Sequence, residues 1–233
     1  SRFAMILTVL IWRPVNLYWQ TERFKYYEED KPAPSIYSTV FNYVTTLLIL
    51  AGLGISLFSD PIIRLMASES YHSAASIVPI LTIAAIFGSL ITYSNFSFLA
   101  TSNTAWIAKN NYFTVIPATI FFFAFIPSYG FHGAAIAAML TTVLQFLLVH
   151  AASKKRYDMK LKMAPLYLKL AVASTAYVCM ENMLQQESIA WDIAVRTVVF
   201  LGASSLIIGI LISKKEHRTM IINAIKSRLI RRD

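Results

Sequence analysis

Three residues near the start of the chain have the types and spacing to handle an anion. Arg13, Asn16 and Gln20 are separated by three and four positions, so on a helix they continue one polar face. A guanidinium presents a planar fork of donors that matches phosphate oxygens, and amides on the following turns extend it. The residues around them are apolar, and an ionisable group in such a segment faces a water-filled path or a partner by default. Two blander arrangements use the same residue: Arg13 can snorkel to a headgroup, or pair with a part of the protein outside this sequence. Asp192 and Arg196, four positions apart in the last apolar stretch, have the spacing of an intrahelical ion pair.

Little else in the chain is arranged for chemistry. The four histidines (His72, His132, His150, His217) are scattered, and neither a Ser/His/Asp grouping nor a phosphate-cradling glycine loop is visible. The sequence therefore predicts no enzyme, no metal and no cofactor. Cys179, the lone cysteine, sits in an apolar run and reads as a small packing residue. Lys169 lies near one end of its apolar stretch, from which it can snorkel outward. Asn42, Asn95, Gln145 and His150 read as hydrogen-bonding residues between helices. Pro14, Pro79 and Pro117 fall inside apolar stretches, where a missing donor permits the bends that a transporter uses.

The elements that must position these groups follow from composition. The apolar fraction is 57% and the charged fraction 14%, against about 45–50% and about 25% in ordinary soluble domains. Val78–Leu99, Thr114–Gln145 and Thr197–Ile212 carry no charge at all. Such runs reach or approach the roughly 20 residues that cross a hydrocarbon core as a helix. No period-two alternation supports a β-barrel, and helices are the other way to satisfy a backbone in lipid. The expected class is an all-α, polytopic membrane bundle with seven spans near 3–19, 38–58, 75–98, 104–127, 131–152, 163–183 and 190–212. Charged or polar connections are expected at 20–37 and 59–74, with turns near Thr101–Asn103, at PSYG 127–130 and around Glu187, and a basic connector at 154–162. Pro61–Ala67 reads as a short interfacial helical turn. Residues 213–233 form a basic tail suited to the cytoplasmic surface or to anionic lipid.

The net charge of +9 is placed in a way that points to a membrane and away from nucleic acid. Arg23, Lys25 and Lys31, then Lys109, then Lys154, Lys155, Arg156, Lys160 and Lys162, then the tail, all fall on one side of a seven-span arrangement. The opposite loops offer Arg2 and Arg64. Because cations are retained in the cytoplasm, this alternation puts Ser1 outside and Asp233 inside. With no initiator Met, and an apolar segment entered at once, the chain reads as a fragment.

Two stretches carry a resemblance. SLFSDPIIRLMASESYHSAASIVPILTIAAIFGSL is similar to the region of bacterial polysaccharide flippases in which an apolar span leads to a "plI-rl-…-Y-A-ivPiL" segment and a second span. FIPSYGFHGAAIAAMLTTVLQFLL resembles their "liP-yG-GAAiAt" turn and following helix. The starting helix, the acidic loop after it and the basic connector before two final spans keep the same order. The family is the Wzx-like exporters of the multidrug/oligosaccharidyl-lipid/polysaccharide superfamily. The resemblance implies the C-terminal lobe of a MATE-like, two-lobe transporter in the bacterial cytoplasmic membrane. It also implies a substrate, undecaprenyl-pyrophosphate-linked oligosaccharide, and as partners membrane lipid and an N-terminal lobe of the same protein. On that pattern the first helix faces the central cavity, where Arg13 would receive the pyrophosphate, and the last two helices offer a groove for the polyprenyl tail. One departure is that Asn110 and Asn111 stand at the start of the helix before the P-yG turn, while Thr119–Phe125 is apolar, so the pattern for a ligand role there is missing. A cation-coupled multidrug exporter of the same superfamily, and a membrane scaffold with no substrate path, are the alternatives.

Overall fold

A computed structural model of the chain describes residues 5–28, 33–66, 68–183 and 189–212. The tail and the turn around Glu187 lie outside them. The described residues are helical, with no strand among them. A π-helical turn, Leu7–Trp12, leads into α1 (Arg13–Glu28), followed by α2 (Ala33–Met66) and a 3₁₀ segment, Glu69–Ile77. Then come α3 (Val78–Ser94), short α4 (Phe96–Ala100), long α5 (Ala105–Lys154), α6 (Met163–Met183) and α7 (Ile189–Ile212). Five stretches are long and apolar enough to cross a membrane: Ile36–Met66, His72–Ala100, Ala105–Lys154, Met163–Asn182 and Trp191–Ile212. The first helix is not among them, because Arg13, Gln20, Glu22, Arg23 and Lys25 dilute its apolar character.

The π turn has a local cause. The Arg13 N–H reaches back to Thr8 O, one residue further than in an α-helix, and Pro14 follows with no donor of its own. The wider turn leaves room for the proline ring that an α-turn would crowd. Leu7, Trp12, Trp19 and Arg23 then share the buried face.

The connections expected at 20–37 and 59–74 are largely helix. α1 runs on to Glu28 because no breaker intervenes, Lys25 and Glu22 pair at 2.8 Å, and Trp19 and Tyr26 pack onto the bundle. α2 continues through Pro61 to Met66, so Pro61–Ala67 is not a separate interfacial turn as far as it is described.

α5 is one continuous element only by hydrogen-bond pattern. Gly130 has φ 54° and ψ −127°, the mirror-image turn conformation open to glycine, and the chain doubles back there. Gln145 Nε2 donates to Asn111 Oδ1 at 2.9 Å. In a straight helix those residues would stand about 50 Å apart. The two arms are therefore antiparallel. Gly133 seals the turn, since a Cβ there would run into the Phe125 carbonyl.

The two ends of α4 show how the loops close. Asn103 N–H donates to Phe98 O and Ser102 N–H to Leu99 O, with Ser102 left-handed at φ 52°, a Schellman closure. Ser97 Oγ donates to Ser153 O at 2.8 Å and accepts from the Tyr157 N–H at 3.0 Å, which ties the basic connector to α4.

α2 is the hub. It packs against α3, α6 and α7, and α3 in turn packs against α5. More than half of the most apolar stretch of α2 is buried, compared with under a fifth in α6 and α7. Gly52 allows a close α2–α3 approach, with a Cβ there meeting Thr82 Cγ2 at 2.9 Å. Cys179 is exposed on α6, so it is not a packing residue of this core.

Candidate functional site

Arg13, Asn16 and Gln20 do share α1, but their surroundings differ. Arg13 and Gln20 are exposed, whereas Asn16 is half-buried and its Oδ1, enclosed, meets no hydrogen-bond partner. No ion pair of Arg13 is found among the described residues. Leu10, Leu17 and Tyr18 are exposed nearby, so the face is a cation set in apolar surroundings more than a continuous polar stripe. Beside it, Pro14, Tyr18, Trp19, Glu22 and Tyr26 of the first helix enclose with Ile36 and Val40 a cleft of about 540 Å³, which Arg13 does not line.

Three other cations of the bundle, Arg23, Lys169 and Arg196, are enclosed. Arg196 is 3% exposed; its Nε donates to Asp192 Oδ1 at 2.7 Å, one Nη to Leu57 O and the other to Asp60 Oδ2 at 3.3 Å. Asp60 Oδ1 accepts from Arg64 Nε at 3.0 Å. The intrahelical pair thus belongs to a four-residue network that fastens the start of α7 to the end of α2. Asp60 and Arg64 were visible in the sequence as charges four apart after an apolar run, but nothing in that spacing pointed to Arg196.

Lys169 does not snorkel. It is 0% exposed, because α6 lies against α2 and turns the side chain inward. Its Nζ donates to Asn42 Oδ1 at 2.8 Å, Thr46 Oγ1 at 2.9 Å, Thr45 Oγ1 at 3.0 Å and Asn42 O at 3.1 Å. Both threonine hydroxyls donate to Asn42 O, at 3.0 and 2.7 Å, which leaves their lone pairs facing the amine. The oxygen set therefore suits an ammonium with three protons to give. The sequence signal was the Asn-x-x-Thr-Thr run on α2, readable as helix-spaced polar residues without a stated partner.

Arg23, placed by sequence in a loop, is 3% exposed on α1 and lies 4.8 Å from the Phe96 ring centroid. Its Nε and Nη1 meet no acceptor. Around it, the Tyr37 hydroxyl donates to Arg23 O at 2.6 Å and the Tyr93 hydroxyl to Tyr37 O at 2.7 Å, while the Trp19 ring stacks on Tyr93.

Of the residues read as bonding between helices, Asn42 and Gln145 do so, whereas Asn95 Oδ1 and His150 Nδ1 are buried without partners. No cluster of metal-ligating side chains occurs among the described residues. The class that fold and site define is a bundle of apolar helices in which Lys169 and Arg196 are enclosed and bonded to oxygens, while Arg13 on the first helix is exposed among apolar side chains. No family model, curated protein or solved structure matches the chain.

Proposed function

We propose that the chain is the C-terminal lobe of a transporter that moves a lipid-linked oligosaccharide across the bacterial cytoplasmic membrane by rocking against a second lobe. In this reading the first helix crosses once and the α5 hairpin twice, giving seven crossings with the C-terminus in the cytoplasm. The observation that carries it is the contrast at Arg13. Lys169 and Arg196 are enclosed by oxygens of this chain, while Arg13, on the first helix of the bundle, is left open to whatever faces it. A guanidinium on a membrane-embedded face is costly in lipid and requires water, an anion or another protein surface. A pyrophosphate passing between two lobes would meet that requirement with a bidentate partner.

The experiment is an accessibility scan in the full-length protein with the exposed Cys179 replaced by Ala. Cysteines placed at 13, 16 and 20 react with a membrane-impermeant thiol reagent if a water-filled path exists, while cysteines at Leu168 and Val198, exposed on α6 and α7, stay unreactive. Uniform protection at all five positions would fit a sealed scaffold instead. Arg13→Ala abolishes surface display of the glycan at normal protein level, and Arg13→Lys restores part of it. Full display in the alanine variant removes Arg13 from the mechanism.

A further inference from the structure

Where the two arms of the α5 hairpin open at their far end from Gly130, they enclose a cleft of about 510 Å³. Trp106, Asn110 and Phe113 line it from the first arm at helical spacing, and Leu148, Ala151, Ala152 and Lys155 from the second, with Arg156 closing the rim. The two alanines provide the hollow. The rim is cationic, with Lys155 and Arg156, whose Cζ lies 4.8 Å from the Trp106 ring; Lys109, with its Nζ 5.2 Å from the same ring, does not line the cleft but adds positive charge beside it. One lining residue carries an unused donor. Asn110 is 5% exposed, and its Nδ2 meets no acceptor. The nearby carboxylate, Asp158, accepts from the Lys160 N–H at 2.9 Å and does not line the cleft.

We propose that this cleft is a site for the phosphate headgroup of an anionic membrane phospholipid, with the start of its acyl chains laid between Phe113 and Leu148. Lys155 and Arg156 supply charge to the phosphodiester, Lys109 strengthens the field from beside the cleft, and Asn110 Nδ2 supplies the buried hydrogen bond that now has no acceptor. The gradient from cationic rim to apolar floor matches an amphiphile and wastes half its length on a free anion. Tryptophan beside cations at helix ends is the ordinary composition of a bilayer interface. The proposal needs the hairpin to stand in a membrane, and it does not depend on the transported substrate.

Native mass spectrometry of the full-length protein in detergent tests it, with phosphatidylglycerol, phosphatidylcholine, a polyprenyl phosphate and inorganic phosphate added separately. Phosphatidylglycerol is expected to be retained, phosphatidylcholine about ten-fold more weakly. Replacing the exposed pair, Lys155→Gln with Arg156→Gln, lowers phosphatidylglycerol retention about ten-fold, whereas Lys160→Gln with Lys162→Gln, which removes equal charge from the connector, changes it less than about two-fold. Asn110→Leu lowers it as well; should that variant fail to fold, the exposed pair carries the test. Equal loss in both double variants means attraction by charge alone and overturns the site. Retention of phosphatidylcholine as tightly as phosphatidylglycerol, retention of the polyprenyl phosphate alone, or displacement of lipid by equimolar inorganic phosphate each overturns it too.

Discussion

Lys169 and Arg13 are both cations on helices of one bundle, and they are treated in opposite ways. Four oxygens of α2 surround Lys169, whereas Arg13 lies exposed among Leu10, Leu17 and Tyr18. A cation whose donors are all taken by its own chain holds helices together. One left open is available to something else. The difference teaches that what a cation does in an apolar bundle is set by its surroundings, not by its type.

The contrast can be broken by substitution. Lys169→Met, which keeps length and removes the donors, leaves Asn42 Oδ1 and two hydroxyls without their partner and is expected to cost on the order of 3 kcal/mol, measured as the shift in thermal unfolding in detergent. Arg196→Met leaves Asp192 on α7 and the Leu57 carbonyl on α2 without their partner, while Asp60 keeps Arg64, and should cost about 2–3 kcal/mol by the same measurement. Thr45→Val removes one of four oxygens from the Lys169 cage at nearly constant shape, with an expected loss of about 1 kcal/mol. Arg13→Met should leave unfolding within about 0.5 kcal/mol of the parent and, on the proposed function, abolish transport. A destabilisation by Arg13→Met as large as that by Lys169→Met would erase the distinction and make Arg13 structural.

The sequence was informative where one segment decides the outcome. Uncharged apolar runs predict helices, Pro127 and Gly130 predict a reversal, and the 163–183 stretch coincides with α6. It was silent where two segments decide together. Nothing local distinguishes Arg23 in a loop from Arg23 beneath Phe96, or a Lys169 that reaches outward from one turned toward Asn42, because the choice belongs to the packing of α1 on α4 and of α6 on α2. The polar stretches at 20–37 and 59–74 differ from their expected loops for a related reason. Charge there does not break the structure: Lys25 pairs with Glu22 and Arg64 with Asp60 along helices that simply continue. Of the candidate site, the residue types at Arg13, Asn16 and Gln20 were legible. The enclosure of Asn16 and the apolar company of Arg13 were not.

The two tyrosine hydroxyls near Arg23 have a mechanical consequence. Tyr93 on α3 grips the backbone of α2 at Tyr37, and Tyr37 grips the backbone of α1 at Arg23, so three helices are pinned in series at a single corner. Any swing of the first helix must drag its two neighbours along or snap a pin. Freedom of the first helix, if it has any, lies at the end away from this corner.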